Sequence, residues 1–227
     1  MFKDRVDAGR QLAARVSAKL GNGGPQPTQS AQPGQASPTA GTEPPVVLGL
    51  PRGGVPVAAE VARAVGGELD VLVVRKVGVP WQPELALGAV GEDGVRVLNE
   101  EIAAACGLTE AQLDELSRRA RAEVEERLRQ LRAGRPAVPL TGRTAIVVDD
   151  GVATGATMRA AVDVVRAHGA ARVIVAVPVA AADAMDALRA TVDDFVAVLA
   201  PVDLGGVGLW YRDFTQTTDA EVASLLN

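Results

Sequence analysis

Residues 4–20 place Val6, Leu12, Ala13, Val16 and Leu20 near a 3.6-residue period, which predicts an amphipathic helix. From Val46 onward, short β-branched runs alternate with helical stretches. The runs Val46–Leu50, Leu69–Val74, Thr144–Val148, Arg172–Val177 and Phe195–Leu199 are nearly continuous in apolar residues, as strands covered on both faces require. Helices are predicted at Val55–Val65, Gly155–His168 and Ala182–Ala190, the second with Met158, Ala161, Val162 and Val165 on one face. This alternation implies an α/β fold, a doubly wound and mainly parallel sheet with right-handed crossovers and flanking helices. An insertion at about 77–135 interrupts it. Its first part, 77–98, is rich in Gly and Pro and allows a hairpin of Leu85–Val90 and Val95–Leu98 around Glu92-Asp93-Gly94. Two helices follow, the first capped by Asn99 and the second opened by a capping box of Thr109 and Gln112. The second carries Leu113, Leu116, Ala120, Val124, Leu128 and Leu131 at three- and four-residue steps, and its Arg/Glu-rich faces read as solvated surface. Thr218 and Glu221 cap a terminal helix.

Composition narrows the class. Between Gly21 and Pro45, eleven of 25 residues are Gly or Pro, so this segment buries too little to offset its ordering entropy and reads as a flexible tether. The organisation expected is an N-terminal helix (1–20) docking on the core, a linker (21–45) and one domain (46–227). No run of eighteen apolar residues is present, and the charged start lacks a secretory h-region, so a cytoplasmic protein away from membranes is expected. A single cysteine, Cys106, excludes a disulfide framework. The net charge of −5 argues against nucleic acid as the main ligand. Lysines occur only at 3, 19 and 76, and the six aromatics include the group Trp210, Tyr211 and Phe214.

Open α/β sheets bind ligands at the carboxyl ends of their strands. The run Ile146–Val148 ends in Asp149-Asp150-Gly151-Val152-Ala153-Thr154-Gly155-Ala156-Thr157, two carboxylates followed by a small-residue turn that opens a helix. Free N–H groups and the positive helix end make such a turn an anion site, to which Thr154 and Thr157 add hydroxyls. The carboxylates suit a sugar diol or a hydrated Mg²⁺. Phosphate at one end and diol at the other describe a ribose 5-phosphate. A helix cap with a solvated neighbour is the alternative for the acidic pair.

Val147 to Thr157 resembles the 5-phosphoribosyl-1-diphosphate (PRPP) signature of type I phosphoribosyltransferases, and the resemblance extends over roughly Val46 to Phe214. The loop pattern is closest to uncharacterised bacterial members of that family. The resemblance implies a pentosyltransferase that uses PRPP and Mg²⁺. Its 5-phosphate would be held by Thr154, Gly155, Ala156 and Thr157, with Ala153 also in the substrate site, and its ribose hydroxyls by Asp149 and Asp150, directly or through the hydrated metal. Leu50-Pro51-Arg52-Gly53-Gly54-Val55 resembles the pyrophosphate loop, where glycines admit close backbone approach and Arg52 adds a planar fork. Arg75 and Lys76, read as the end of the second strand, match another basic pyrophosphate position. A Gly-rich turn with a surface arginine and a charged strand terminus are the respective alternatives. Val77 to Gly94 resembles the mobile loop that closes over the site, or else is a surface hairpin. Hypoxanthine–guanine members carry an acidic residue where this chain has Ala153, so the resemblance is nearer the adenine, xanthine or uracil enzymes, unless Glu84 replaces that carboxylate. Val207–Phe214, read as the last strand region, offers Trp210 and Tyr211 to stack on an acceptor base, or else plugs the space between the N-terminal helix and the sheet. The partners expected are PRPP and a small-molecule acceptor, with a homodimer left open. A non-catalytic sensor of PRPP or a nucleotide, and an interaction module, are the competing classes.

Overall fold

The computed structural model describes residues 1–21 and 43–227; the tether expected between Gly21 and Pro45 lies, from 22 to 42, outside the described residues. The core is a five-stranded sheet of β1 (Val46–Gly49), β2 (Glu68–Val71), β6 (Thr144–Val148), β7 (Arg172–Val179) and β8 (Asp194–Leu199), in the order β2-β1-β6-β7-β8. All four pairings are parallel. Helices α1 (Arg5–Gly21) and α2 (Gly54–Val65) cover one face. There Leu12, Val16, Val57 and Val61 pack on Val47, Ile146, Val148 and Ile174. Helix α5 (Ala156–Ala167) covers the other face, where Met158, Ala161 and Val165 pack with Val46, Leu48, Ala145 and Val147. Adjacent strand residues therefore feed opposite cores, which is why these strands read as unbroken apolar runs. Helix α6 (Ala182–Arg189) joins β7 to β8, and α7 (Asp219–Leu226) closes the chain.

The insertion folds differently from expectation. Arg75 and Lys76 do not end the second strand, which stops at Val71; they open β3 (Arg75–Val79). This strand pairs antiparallel with β4 (Gln82–Val90), and β4 with β5 (Arg96–Leu98). The stretch Val77–Gly94 is therefore largely sheet in this structure rather than an open loop. Its apolar side chains explain this: Val77, Val79, Leu87 and Val90 form a small core with Ala103 of α3 (Glu100–Ala105) and Leu113 of α4 (Glu110–Arg132). Asn99 caps α3 by accepting from the Ile102 N–H, and Thr109 with Gln112 closes the expected capping box on α4.

The charged surface of α4 is not solvated throughout, contrary to expectation. Arg132 is 8% exposed and donates from Nε and Nη2 to Asp70, itself 2% exposed, at 2.9 Å each, and also reaches Glu92. Asp70 further accepts from the N–H groups of Val71 and Val138. This network ties the end of α4 to β2 and to the turn before β5.

Candidate functional site

The site forms where the sheet reverses its order of growth. From β1 the chain lays β2 on one side, whereas β6, β7 and β8 extend on the other, so the crevice lies at the carboxyl ends of β1 and β6. Gly49 is in register with Val148, and the Leu50 N–H donates to the Val148 carbonyl at 2.8 Å. This pairing sets the segment after β1 directly on the segment after β6.

Glycines make the approach feasible. A Cβ on Gly53 would lie 1.9 Å from Asp150 Oδ2, and one on Gly54 would lie 2.6 Å from the Val148 carbonyl oxygen and 2.9 Å from Asp149 Cα. Among the described residues, the N–H groups of Arg52 and Gly53 have no hydrogen-bond partner. The Arg52 side chain leans toward α7, with Nη1 3.8 Å from Asp219.

The turn into α5 presents a second set of donors. Gly155 has φ +77°, a left-handed value that suits glycine, and it turns the chain into the helix. Among the described residues, the N–H groups of Ala153, Thr154, Gly155, Thr157 and Met158 are unpartnered, while that of Ala156 lies 3.5 Å from Thr154 Oγ1. Ala153, Thr154 and Thr157 are exposed. These donors at a helix N-terminus form a cradle for an anion.

Asp149 and Asp150 are half-buried. Burial and the adjacent Asp150 push the Asp149 carboxyl up to about 8. Burial also raises Asp150, opposed by a hydrogen bond from Arg5. Among the described residues, no group of three or more His, Cys, Asp or Glu side chains is placed to hold a metal. Two carboxylates nevertheless fit Mg²⁺, which is usually held by one or two carboxylates with water and substrate phosphate oxygens.

A pH measurement checks the raised carboxyl. A carboxyl with a pKa higher in the folded than in the unfolded chain keeps a proton that unfolding releases, here between about 4 and about 8. Its contribution to stability is present at the low end of that window and is lost as pH rises through it. Thermal unfolding of the unliganded protein and of Asp149→Asn should therefore diverge with pH, the substituted protein gaining relative stability toward pH 8. A difference in midpoint that stays constant with pH would contradict the raised value.

The remaining expected residues are distributed around this centre. Lys76 lines a cleft of about 310 Å³ between the antiparallel sheet and α5, together with Asn99, Ala156, Arg159 and Asp163. Arg75 points elsewhere, pairing with Glu123 of α4 at 3.1 Å. Glu84 lies in β4, its side chain outside the described ones, and Trp81 is exposed in the β3–β4 turn. Val207–Trp210 forms a 3-10 turn rather than a strand. Trp210 donates from Nε1 to the Leu204 carbonyl and lines a cavity of about 380 Å³ with Met1, Asp203, Gly205 and Leu209. Tyr211 is buried, its ring centroid 5.3 Å from that of Phe2 and 5.0 Å from that of Phe214, and its hydroxyl donates to the Asp150 carbonyl at 2.6 Å. Tyr211 is thus taken up by packing against Phe2 and Phe214, and its hydroxyl holds the backbone of the acidic pair in place.

Sequence reasoning missed Arg5. Its Nε donates to Asp150 Oδ2 at 2.8 Å and its Nη1 to the Thr215 carbonyl at 2.7 Å. In the sequence it is only one residue of a docking helix, and nothing in local spacing links positions 5 and 150.

A family model described as a phosphoribosyl transferase domain matches residues 34–208. The chain belongs to that family. This phosphoribosyl transferase domain chain is 47% identical over its whole length to "Putative phosphoribosyl transferase Rv0571c" of Mycobacterium tuberculosis H37Rv, and equally to "Putative phosphoribosyl transferase MT0597" of strain CDC 1551. It spans 46% of those proteins, about half the length of the curated relatives it matches. It also superposes on the crystal structure of TT1426 from Thermus thermophilus with a TM-score of 0.83 and 44% identity, covering 99% of this chain and 97% of that one. No helix among the described residues is long and apolar enough to cross a membrane.

Proposed function

We propose that this domain transfers the 5-phosphoribosyl group of PRPP to a nitrogen nucleophile, a nucleobase, with release of pyrophosphate. The observation that carries this reading is the packing of Gly53 and Gly54 directly on the Asp149–Asp150 pair, beside the donor-rich turn that opens α5. One crevice thereby joins two sets of free N–H groups with a pair of carboxylates between them, the complement of a sugar diol flanked by phosphates.

In the reaction, the bond from C1 of the ribose to the pyrophosphate oxygen breaks and a bond from C1 to the acceptor nitrogen forms. Positive charge gathers on the ring and negative charge on the leaving group, so catalysis is a matter of positioning and preorganised charge. The N–H groups of Ala153 to Thr157 and the two threonine hydroxyls would anchor the 5-phosphate. Asp149 and Asp150 would accept from the 2- and 3-hydroxyls. The Arg52 and Gly53 N–H groups would face the departing pyrophosphate, with the Arg52 and Lys76 side chains adding positive charge. Asp149 and Asp150 are also the residues that would hold a hydrated Mg²⁺, which when bound offsets charge on the pyrophosphate.

The test is calorimetric titration of PRPP into the protein with and without Mg²⁺, followed by screening bases and amines for pyrophosphate release. Saturable binding with turnover is expected, and Asp150→Asn should reduce turnover by about 100-fold or more. Asp150→Asn turning over like the unsubstituted protein would remove Asp150 from the mechanism. Binding without turnover for every acceptor would make the domain a PRPP sensor, and no binding at all would make it an interaction module.

A further inference from the structure

The N-terminal arm places a cation in this crevice. Phe2 pairs with Tyr211 in a parallel bridge, its N–H donating to the Trp210 carbonyl and its carbonyl accepting from the Arg212 N–H. That pairing fixes where α1 begins and sets Arg5 at its first residue, facing the end of β6. The Arg5 side chain is 11% exposed, and its guanidinium carbon lies 4.0 Å from the centroid of the Phe214 ring. A Cβ on Gly53 would come within 3.0 Å of Arg5 Nε. The guanidinium is thus held by a carboxylate, a backbone carbonyl, an aromatic face and the glycine loop together. An ion pair merely resting on a surface would be free to wander between partners.

We propose that Arg5 is a positioning residue of the donor site, clamping one oxygen of Asp150 so that the other faces the ligand. The inference rests on the PRPP reading above. Two features of the contact support it. Arg5 takes Asp150 Oδ2 alone, and among the described residues Oδ1 accepts no hydrogen bond, which leaves it for a ligand hydroxyl. Arg5 also offsets the negative charge that a polyanionic ligand would otherwise meet at Asp150. The residue acts through Asp150, so its effect should be confined to ligands that reach the carboxylates.

The experiment compares two ligands. Inorganic phosphate probes the turn that opens α5, whereas PRPP with Mg²⁺ probes both the turn and the acidic pair. Arg5→Gln keeps a donor and removes the charge; Arg5→Lys keeps the charge and loses the planar Nε donor. Isothermal titration should show PRPP affinity falling about 10- to 100-fold in Arg5→Gln, with partial recovery in Arg5→Lys, and phosphate affinity unchanged within about twofold. Circular dichroism establishes that each variant is folded. Should Arg5→Gln fail to fold, Arg5→Lys carries the test through the same selective loss toward PRPP. Equal loss for both ligands, or no loss for PRPP, would overturn the role of Arg5 alone. Absence of PRPP binding to the unsubstituted protein would instead overturn the donor reading, and this inference with it.

Discussion

Replacing Arg132 with methionine should lower the free energy of unfolding by about 3–5 kcal/mol, the usual result of removing one partner from a buried ion pair. Methionine keeps much of the aliphatic stem, so lost packing is a minor part of the effect. The loss falls on Asp70, which keeps its Val71 and Val138 N–H donors but no longer has the guanidinium that offsets its charge. Glu92 loses the same partner. Chemical denaturation followed by circular dichroism measures the effect directly. A loss below about 1 kcal/mol, the range of exposed pairs, would mean that the network is solvated in practice. Converting Asp70 and Glu92 to neutral, apolar residues in the Arg132→Met background should return part of the stability, because the uncompensated charges are then removed as well.

The second large effect concerns function. Gly53→Ala should abolish detectable PRPP binding while the protein stays folded. The added Cβ would sit 1.9 Å from Asp150 Oδ2 and 3.0 Å from Arg5 Nε, so the carboxylate and its clamp must move. Both are side-chain atoms, and their displacement leaves the strands in place. Gly53 itself has φ −64°, which alanine adopts without strain. Gly54→Ala makes the instructive contrast. Its Cβ would meet the Val148 carbonyl and Asp149 Cα, backbone atoms at the end of a central strand and just beyond it, and a loss of about 1–3 kcal/mol in stability is expected. Titration and thermal unfolding of the two variants side by side separate the effects. If Gly53→Ala bound PRPP normally, Asp150 would have no part in holding the ligand.

How much of this was legible beforehand depended on whether the signal was local. The parallel strands and the helices between them could be read because each strand is covered on both faces and each helix has one apolar stripe. Local caps such as Asn99, Thr109 and Thr218 could be read for the same reason, since donor and acceptor lie three residues apart. The segment from Arg75 to Val79 could not. A charged start, a glycine and the Pro80 that follows mimic a loop, and its strand character comes from pairing with β4 and from a core shared with α3 and α4. Val207–Trp210 looked like a strand by its apolar content, yet it turns in a 3-10 helix whose Val207 packs over Gly151. In the candidate site, the acidic pair and the α5 turn were visible as one contiguous motif. Their juxtaposition with Gly53 needed the β1–β6 pairing, and the contribution of Arg5 needed the arm to return to Tyr211. Arg132 carried no signal, because charged residues on a long helix are ordinarily solvated.

The pairing of β1 with β6 also governs when a growing chain can become competent to bind. The two halves of the crevice are supplied by strands separated by the entire antiparallel insertion, and the arm that reaches Asp150 lies 145 residues before it. Closing such long loops precedes any reward from the contacts they bring together, which makes this a slow-forming arrangement. No fragment ending before β6 contains the crevice. Because Tyr211 and Thr215 secure the acidic pair and its arginine, chains released short of those residues would carry the motif without its support. Ligand capture during synthesis would therefore report completion of the fold rather than the arrival of any one segment.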